Sequence, residues 1–163
     1  MGLNEEHSGR SNYRESLIEK QFLHRLLDAL WPEEEVEVLR PDVDLGGYDL
    51  VLEARGEVRH LQLKSALHKF KKKNRIVRGR LSSKPAGCVL GIVVDDDLRP
   101  KHYRWFGAAP GERLADVTNY PVATRPGTNK PRLDAYEVPA ECFRRLERIE
   151  QVIAALFGPK PSP

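Results

Sequence analysis

The sequence predicts a single α/β domain in which a mixed central β-sheet is flanked by helices, and three features carry that expectation. An apolar stripe recurs at helical spacing over residues 11–31, two short strand-like runs lie three residues apart at 48–54 and 58–64, and a second helical stripe ends at Gly158. A chain of 163 residues is the size of one ordinary domain and buries a substantial core without metal or disulfide staples. Residues 11–158 are expected to form it, between a flexible N-terminus (1–10) and a disordered PKPSP tail (159–163).

The first helix opens at a Ser/Asn cap and is closed by Pro32. Leu17, Ile18, Phe22, Leu23, Leu26, Leu27 and Leu30 form its core-facing stripe, and Glu19 falls on the edge of that stripe or within it. An acidic turn leads to a short strand at 36–39, and the loop RPDVDLGG precedes the two strands at 48–54 and 58–64. Arg55-Gly56-Glu57 between them suits a hairpin turn. Side chains alternate along a strand, so Leu61 and Leu63 face one way while His60, Gln62 and Lys64 face the other.

Residues 88–95, CVLGIVVD, read as a strand covered on both faces, and 101–106 as its neighbour carrying Tyr103, Trp105 and Phe106. Residues 107–131 are rich in Gly, Pro, Thr and Asn and predict mostly loop. In the closing stretch PAECFRRLERIEQVIAALFG, Phe143, Leu146, Ile149, Ile153 and Leu156 keep helical spacing, with Gly158 where a C-cap belongs.

Composition excludes several classes. Cys88 and Cys142 form no CxxC pair and have no histidines at zinc-ligand spacing, which suggests free thiols in a reducing, cytoplasmic setting. The polar start MGLNEEHSGRSNYRES lacks the apolar core of a signal peptide, and no run is long enough to span a membrane, so no membrane partner is expected. The net charge of +3 is unevenly placed: residues 1–67 carry 8 basic against 14 acidic side chains, residues 68–80 carry 7 against none, and 81–163 carry 12 against 10. The block HKFKKKNRIVRGR therefore seeks solvent or a polyanion, and Lys69, Lys71, Lys72, Lys73, Arg75, Arg78 and Arg80 are its candidate phosphate contacts.

The order of helix with an internal Glu, strand opening on Asp, tight turn, strand ending Gln-x-Lys and basic segment resembles the PD-(D/E)XK nuclease superfamily of restriction-endonuclease-like and Holliday-junction-resolvase-like enzymes. The matching residues are Asp49 in GYDLVLE, Gln62 and Lys64 in LQLKS, and Glu19 in IEKQFLHRLL. The likeness covers about half the chain, and the later strands and closing helix are compatible in order. It implies a restriction-endonuclease-like sheet and a Mg²⁺-dependent endonuclease, with Mn²⁺ an alternative ion, that hydrolyses DNA phosphodiester bonds by a metal-activated water. Phosphodiester hydrolysis suits such a grouping, because a hard cation takes oxygen ligands and offsets charge on the phosphate. By the resemblance, Asp49, the Gln62 amide oxygen, the Leu63 carbonyl and Glu19 are metal ligands, and Lys64 orients or deprotonates the nucleophile.

Gln62 stands where Glu or Asp is usual; glutamine is a variant found among active members, with one negative charge fewer. Plainer roles compete at each position. Glu19 also fits a surface pair with Arg14 or Lys20, and Glu15 is its substitute in the site; Asp42 and Asp44 are rival acids to Asp49, itself also suited to a strand-entry turn. Gln62 and Lys64 also suit a solvent-facing sheet edge. His60 reads as structural, Asp95-Asp96-Asp97 as a solvated turn, and the three aromatics as core. The alternative function is a catalytically inactive nuclease-fold protein serving as a nucleic-acid-binding or assembly subunit of a defence or repair complex, and a further one is a protein-interaction subunit using the acidic N-terminal third and the 107–131 loop as contacts. Specificity then falls to a homodimer or a partner.

Overall fold

The computed structural model describes residues 3–69 and 73–163. In chain order the elements are α1 (Leu3–Leu30), β1 (Glu37–Leu39), β2 (Leu50–Ala54), β3 (Glu57–Leu67), β4 (Arg75–Arg78), α2 (Gly79–Ser83), β5 (Gly87–Val94), β6 (Pro100–Gly107), β7 (Val122–Thr124), β8 (Pro131–Val138), β9 (Arg144–Leu146) and α3 (Ile149–Phe157). Six strands form the main sheet in the order β1-β2-β3-β5-β6-β9, while β4, β8 and β7 form a smaller antiparallel one. Only β3 and β5 run parallel within the main sheet, so it is mixed, as the sequence predicts.

Strand β5 shows how the layers arise. All eight of its residues are buried, because the strand is covered on both faces. Cys88, Leu90, Ile92 and Val94 point into a core with α1 and α3, whereas Val89 and Val93 point into a second core shared with Val77, Leu81, Val117 and Val138. The first core is anchored by Ile18, Phe22, Leu26 and Leu30, one row of α1 at four-residue spacing. Leu27, a predicted stripe residue, lies off that row and is 44% exposed beside solvent-facing Trp31. Arg59 is fully buried on the same sheet face. Its Nε donates to Leu156 O at 2.6 Å and its Nη2 to Ala155 O and Ala108 O at 2.9 Å, so a side chain of the sheet satisfies carbonyls at the end of α3.

Three expectations are corrected by the packing. Helix α1 begins at Leu3, well before Ser11. The closing helix is only Ile149–Phe157: Phe143 follows a short 3-10 turn at Ala140–Cys142, and Arg144–Leu146 pair with β6 as an edge strand. An i, i+3 spacing mimics a helix there, yet Phe143 enters the second core and Leu146 the first, on opposite faces of the sheet. The Gln151 side chain accepts the amides of Glu147 (2.7 Å) and Arg148 (3.1 Å), which fixes the true helix start. Strand β8 was not foreseen at all.

No helix among the described residues is long and apolar enough to cross a membrane.

Candidate active site

The site is created by unequal strand lengths. Strand β2 begins at Leu50, which pairs with Leu61, but β3 runs on to Leu67 alongside β5. From Leu63 onward the β2 side of β3 is therefore left open. Asp49 finishes the ladder: its amide donates to Leu61 O at 2.8 Å, and its Oδ2 accepts the Leu63 amide at 2.6 Å. The side chain thus replaces a backbone partner at the point where the two strands part.

A cleft of about 740 Å³ opens there, lined by Glu15 and Glu19 of α1, Asp44, Asp49, Gln62, Leu63 and Lys64, and by Arg40, Arg78 and Arg132. The sequence-predicted quartet Asp49, Gln62, Lys64 and Glu19 meets in it, together with the carbonyl-bearing Leu63. Glu15 and Asp44, the alternatives to Glu19 and Asp49, line it too.

Burial perturbs the two central charges in opposite senses. Removal from water raises the Asp49 carboxyl above its ordinary value, a rise that Glu19 and Asp44 reinforce and that the Leu63 amide and Lys64 oppose. Removal from water also lowers the Lys64 ammonium, with Arg132 and Arg78 pushing the same way against Asp49 and Glu15. Gln62 is 9% exposed, and its Oε1 is buried without a hydrogen-bond partner. A buried amide oxygen left unpaired is costly, and a partner reaching this atom would offset that cost.

The chemistry of the donors fits a hard cation: a carboxylate, a free amide oxygen and a peptide edge lie at one strand end. Among the described residues, however, no three His, Cys, Asp or Glu side chains converge closely enough to hold a metal. Glu19 is engaged instead by Arg40, which forms an ion pair with it across 21 positions rather than the Arg14 or Lys20 partner its own helix suggests.

The basic segment divides. Lys71 and Lys72 lie outside the described residues; Lys69 and Lys73 are exposed, and Arg75 and Arg78 belong to β4. Arg78 enters the cleft wall and donates to Leu133 O at 2.8 Å, while Arg80 donates to Leu45 O at 3.2 Å. Arg40 and Arg132 are cationic cleft residues that the sequence does not single out. Arg132 sits behind a stretch rich in Gly and Pro, and it reaches the site from β8, whose residues Ala135–Val138 pair with β4.

The plainer readings hold elsewhere. His60 Nδ1 lies 2.6 Å from Pro85 O and its ring meets Tyr48 edge-on at 4.9 Å, away from the cleft. Asp95 closes its own turn by accepting the amides of Asp97 and Arg99, and Tyr103 and Trp105 are core residues. The Cys88 thiol, wholly buried, is pushed up to about 12 and is no nucleophile at neutral pH.

No protein-family model matches the chain, and no curated protein matches it. Among solved structures it is similar to a bacterial homing endonuclease, I-Ssp6803I, at 20% sequence identity and a TM-score of 0.34, over 72% of this chain and 78% of that one, a likeness too distant to bear on fold or activity.

Proposed function

We propose that the chain is a divalent-metal-dependent nuclease acting on DNA, with its centre at the open end of β3. The observation that carries this reading is the buried, unpartnered Gln62 Oε1 standing beside a desolvated Asp49 and a desolvated Lys64 in one polar cleft. Asp49, Gln62 and the Leu63 carbonyl would hold Mg²⁺ or Mn²⁺, and Glu19 would join them on leaving Arg40. When bound, the cation would offset charge on the phosphate and make an attacking water more acidic.

The rest falls to the side chains. Asp49 is fixed by the Leu63 amide, so its second oxygen is positioned without loss of freedom at the moment of binding. Lys64 has a lowered pKa, so it reaches the neutral form at a lower pH than an exposed lysine and can take a proton from water. Arg78 and Arg132 bring positive charge to the same cleft, where phosphate oxygens would lie.

The test is cleavage of supercoiled plasmid and of labelled single-stranded and branched DNA with Mg²⁺, Mn²⁺ or EDTA. Wild type is expected to cut only with metal, and Lys64→Ala and Asp49→Asn, shown to be folded by circular dichroism, to lose at least ~100-fold in rate. Wild type that stays silent on every substrate and metal would refute the proposal. That no three His, Cys, Asp or Glu side chains among the described residues converge to hold a metal favours one second reading, an inactive nuclease-fold module that binds nucleic acid. It predicts DNA binding indifferent to Mg²⁺ and to Lys64→Ala.

A further inference from the structure

The ribbon β7–β8 is an exposed surface feature whose tip the cleft chemistry does not use. Thr124 and Pro131 form its last pair, and every residue from Thr124 to Pro131 is exposed. From Val117 to Leu133 the chain carries Arg125, Lys130 and Arg132 and no acidic residue.

The tip is a built structure. Arg125 N donates to Lys130 O at 2.9 Å and Thr128 N to Arg125 O at 3.1 Å, while Thr128 Oγ1 bonds both Arg125 O and Lys130 N. Pro126 and Gly127, the latter at φ 71°, occupy the two central positions of that turn, as a type II turn requires. A rigid tip of this kind loses little freedom on binding.

Its distance from the cleft follows from Arg132. That residue, the second of β8, lines the cleft, and the ribbon tip lies a few residues before it in the chain. At ~3.3 Å per residue the tip lies up to about 13 Å from Arg132 along the ribbon, a reach of about four steps of a duplex at ~3.4 Å each.

We infer that the β7–β8 ribbon is a duplex-DNA-contacting element that enters the major groove within about four base pairs of the phosphate held at the cleft, with Arg125 and Lys130 as its contacts. Charge complementarity selects the polyanion, and the major groove admits a two-stranded ribbon. This deepens the nuclease reading and rests on it, since Arg132 ties the ribbon to the cleft.

The experiment is fluorescence anisotropy in EDTA, where cleavage is off, using a labelled duplex and its separated strand over a series of salt concentrations. Proteins compared are wild type, Arg125→Ala/Lys130→Ala, and a variant in which residues 125–130 are replaced by Asn-Gly, a turn that closes a hairpin on its own. Both variants are expected to lose ~10-fold or more in duplex affinity, with a much smaller loss for the single strand. The salt slope of the double variant should fall by about two, one per cation removed. Wild type that binds the duplex no better than the variants overturns the ribbon but leaves the nuclease reading standing, and directs attention to a protein partner for this surface. An equal loss on duplex and single strand overturns groove entry. Wild type that binds no DNA at low salt overturns both readings.

Discussion

Lys64 and Gln62 are individually poor choices for stability, and that is what makes them informative. Burial lowers the Lys64 pKa, so between that lowered value and 10.5 the unfolded chain holds the proton that the folded chain has released. Stability therefore rises with pH across that window. Lys64→Met should remove this rise, stabilise the fold by about 1 kcal/mol at neutral pH, and abolish cleavage; urea melts over a pH series check it. For Asp49 the sign is reversed. Its raised pKa makes the folded state hold the proton between 3.8 and the raised value, so stability falls as pH climbs through that range. Gln62→Glu would place a second carboxylate beside Asp49. The variant should melt lower than wild type in EDTA and show the larger upward shift with Mn²⁺, read by differential scanning calorimetry. These three residues were legible in the sequence because strand alternation alone groups Gln62 with Lys64, and the hairpin brings Asp49 alongside. The Glu19–Arg40 pair was not, because nothing local links a helix to a loop 21 positions away.

Element by element, the sequence spoke clearly where periodicity and burial agree. Helix α1, the β2–β3 hairpin and the twice-covered β5 are such cases. It spoke poorly where an edge had to be completed: β9 was hidden because Phe143 and Leu146 at three-residue spacing imitate a helix, and β8 was hidden behind turn-forming residues. The loop before β2 carries its own test. Gly47 sits at φ 73°, and a Cβ there would come within 2.4 Å of Arg78 Cβ. Gly47→Ala should cost about 1–3 kcal/mol in stability and move Arg78 out of the cleft wall, raising KM more than a remote substitution of equal destabilisation. Arg59 tests the joint between sheet and α3. Arg59→Ala deletes three hydrogen bonds to buried and half-buried carbonyls and should cost about 3 kcal/mol by denaturant unfolding.

Taken whole, the molecule places one sheet between two cores and spends the end of its longest strand on a cleft instead of a ladder. Acidic side chains reach that cleft from α1 and the loop before β2, and cationic ones from α1 (Lys20), β3, β4, β8 and Arg40. Among the described residues Arg78 alone carries the basic 68–80 block into the cleft, while Lys20, Arg40 and Lys64 come from the acidic first third, so the fold and not the charge run along the chain assembles the site. The cation itself provides the decisive observation: isothermal titration of Mn²⁺ into wild type, Asp49→Asn and Lys64→Met in the absence of DNA. One site is expected in wild type, retained or tightened in Lys64→Met, where a neighbouring positive charge is gone, and lost in Asp49→Asn. Wild type that takes up no Mn²⁺, or Asp49→Asn that binds it equally well, would contradict a metal centre at the end of β3.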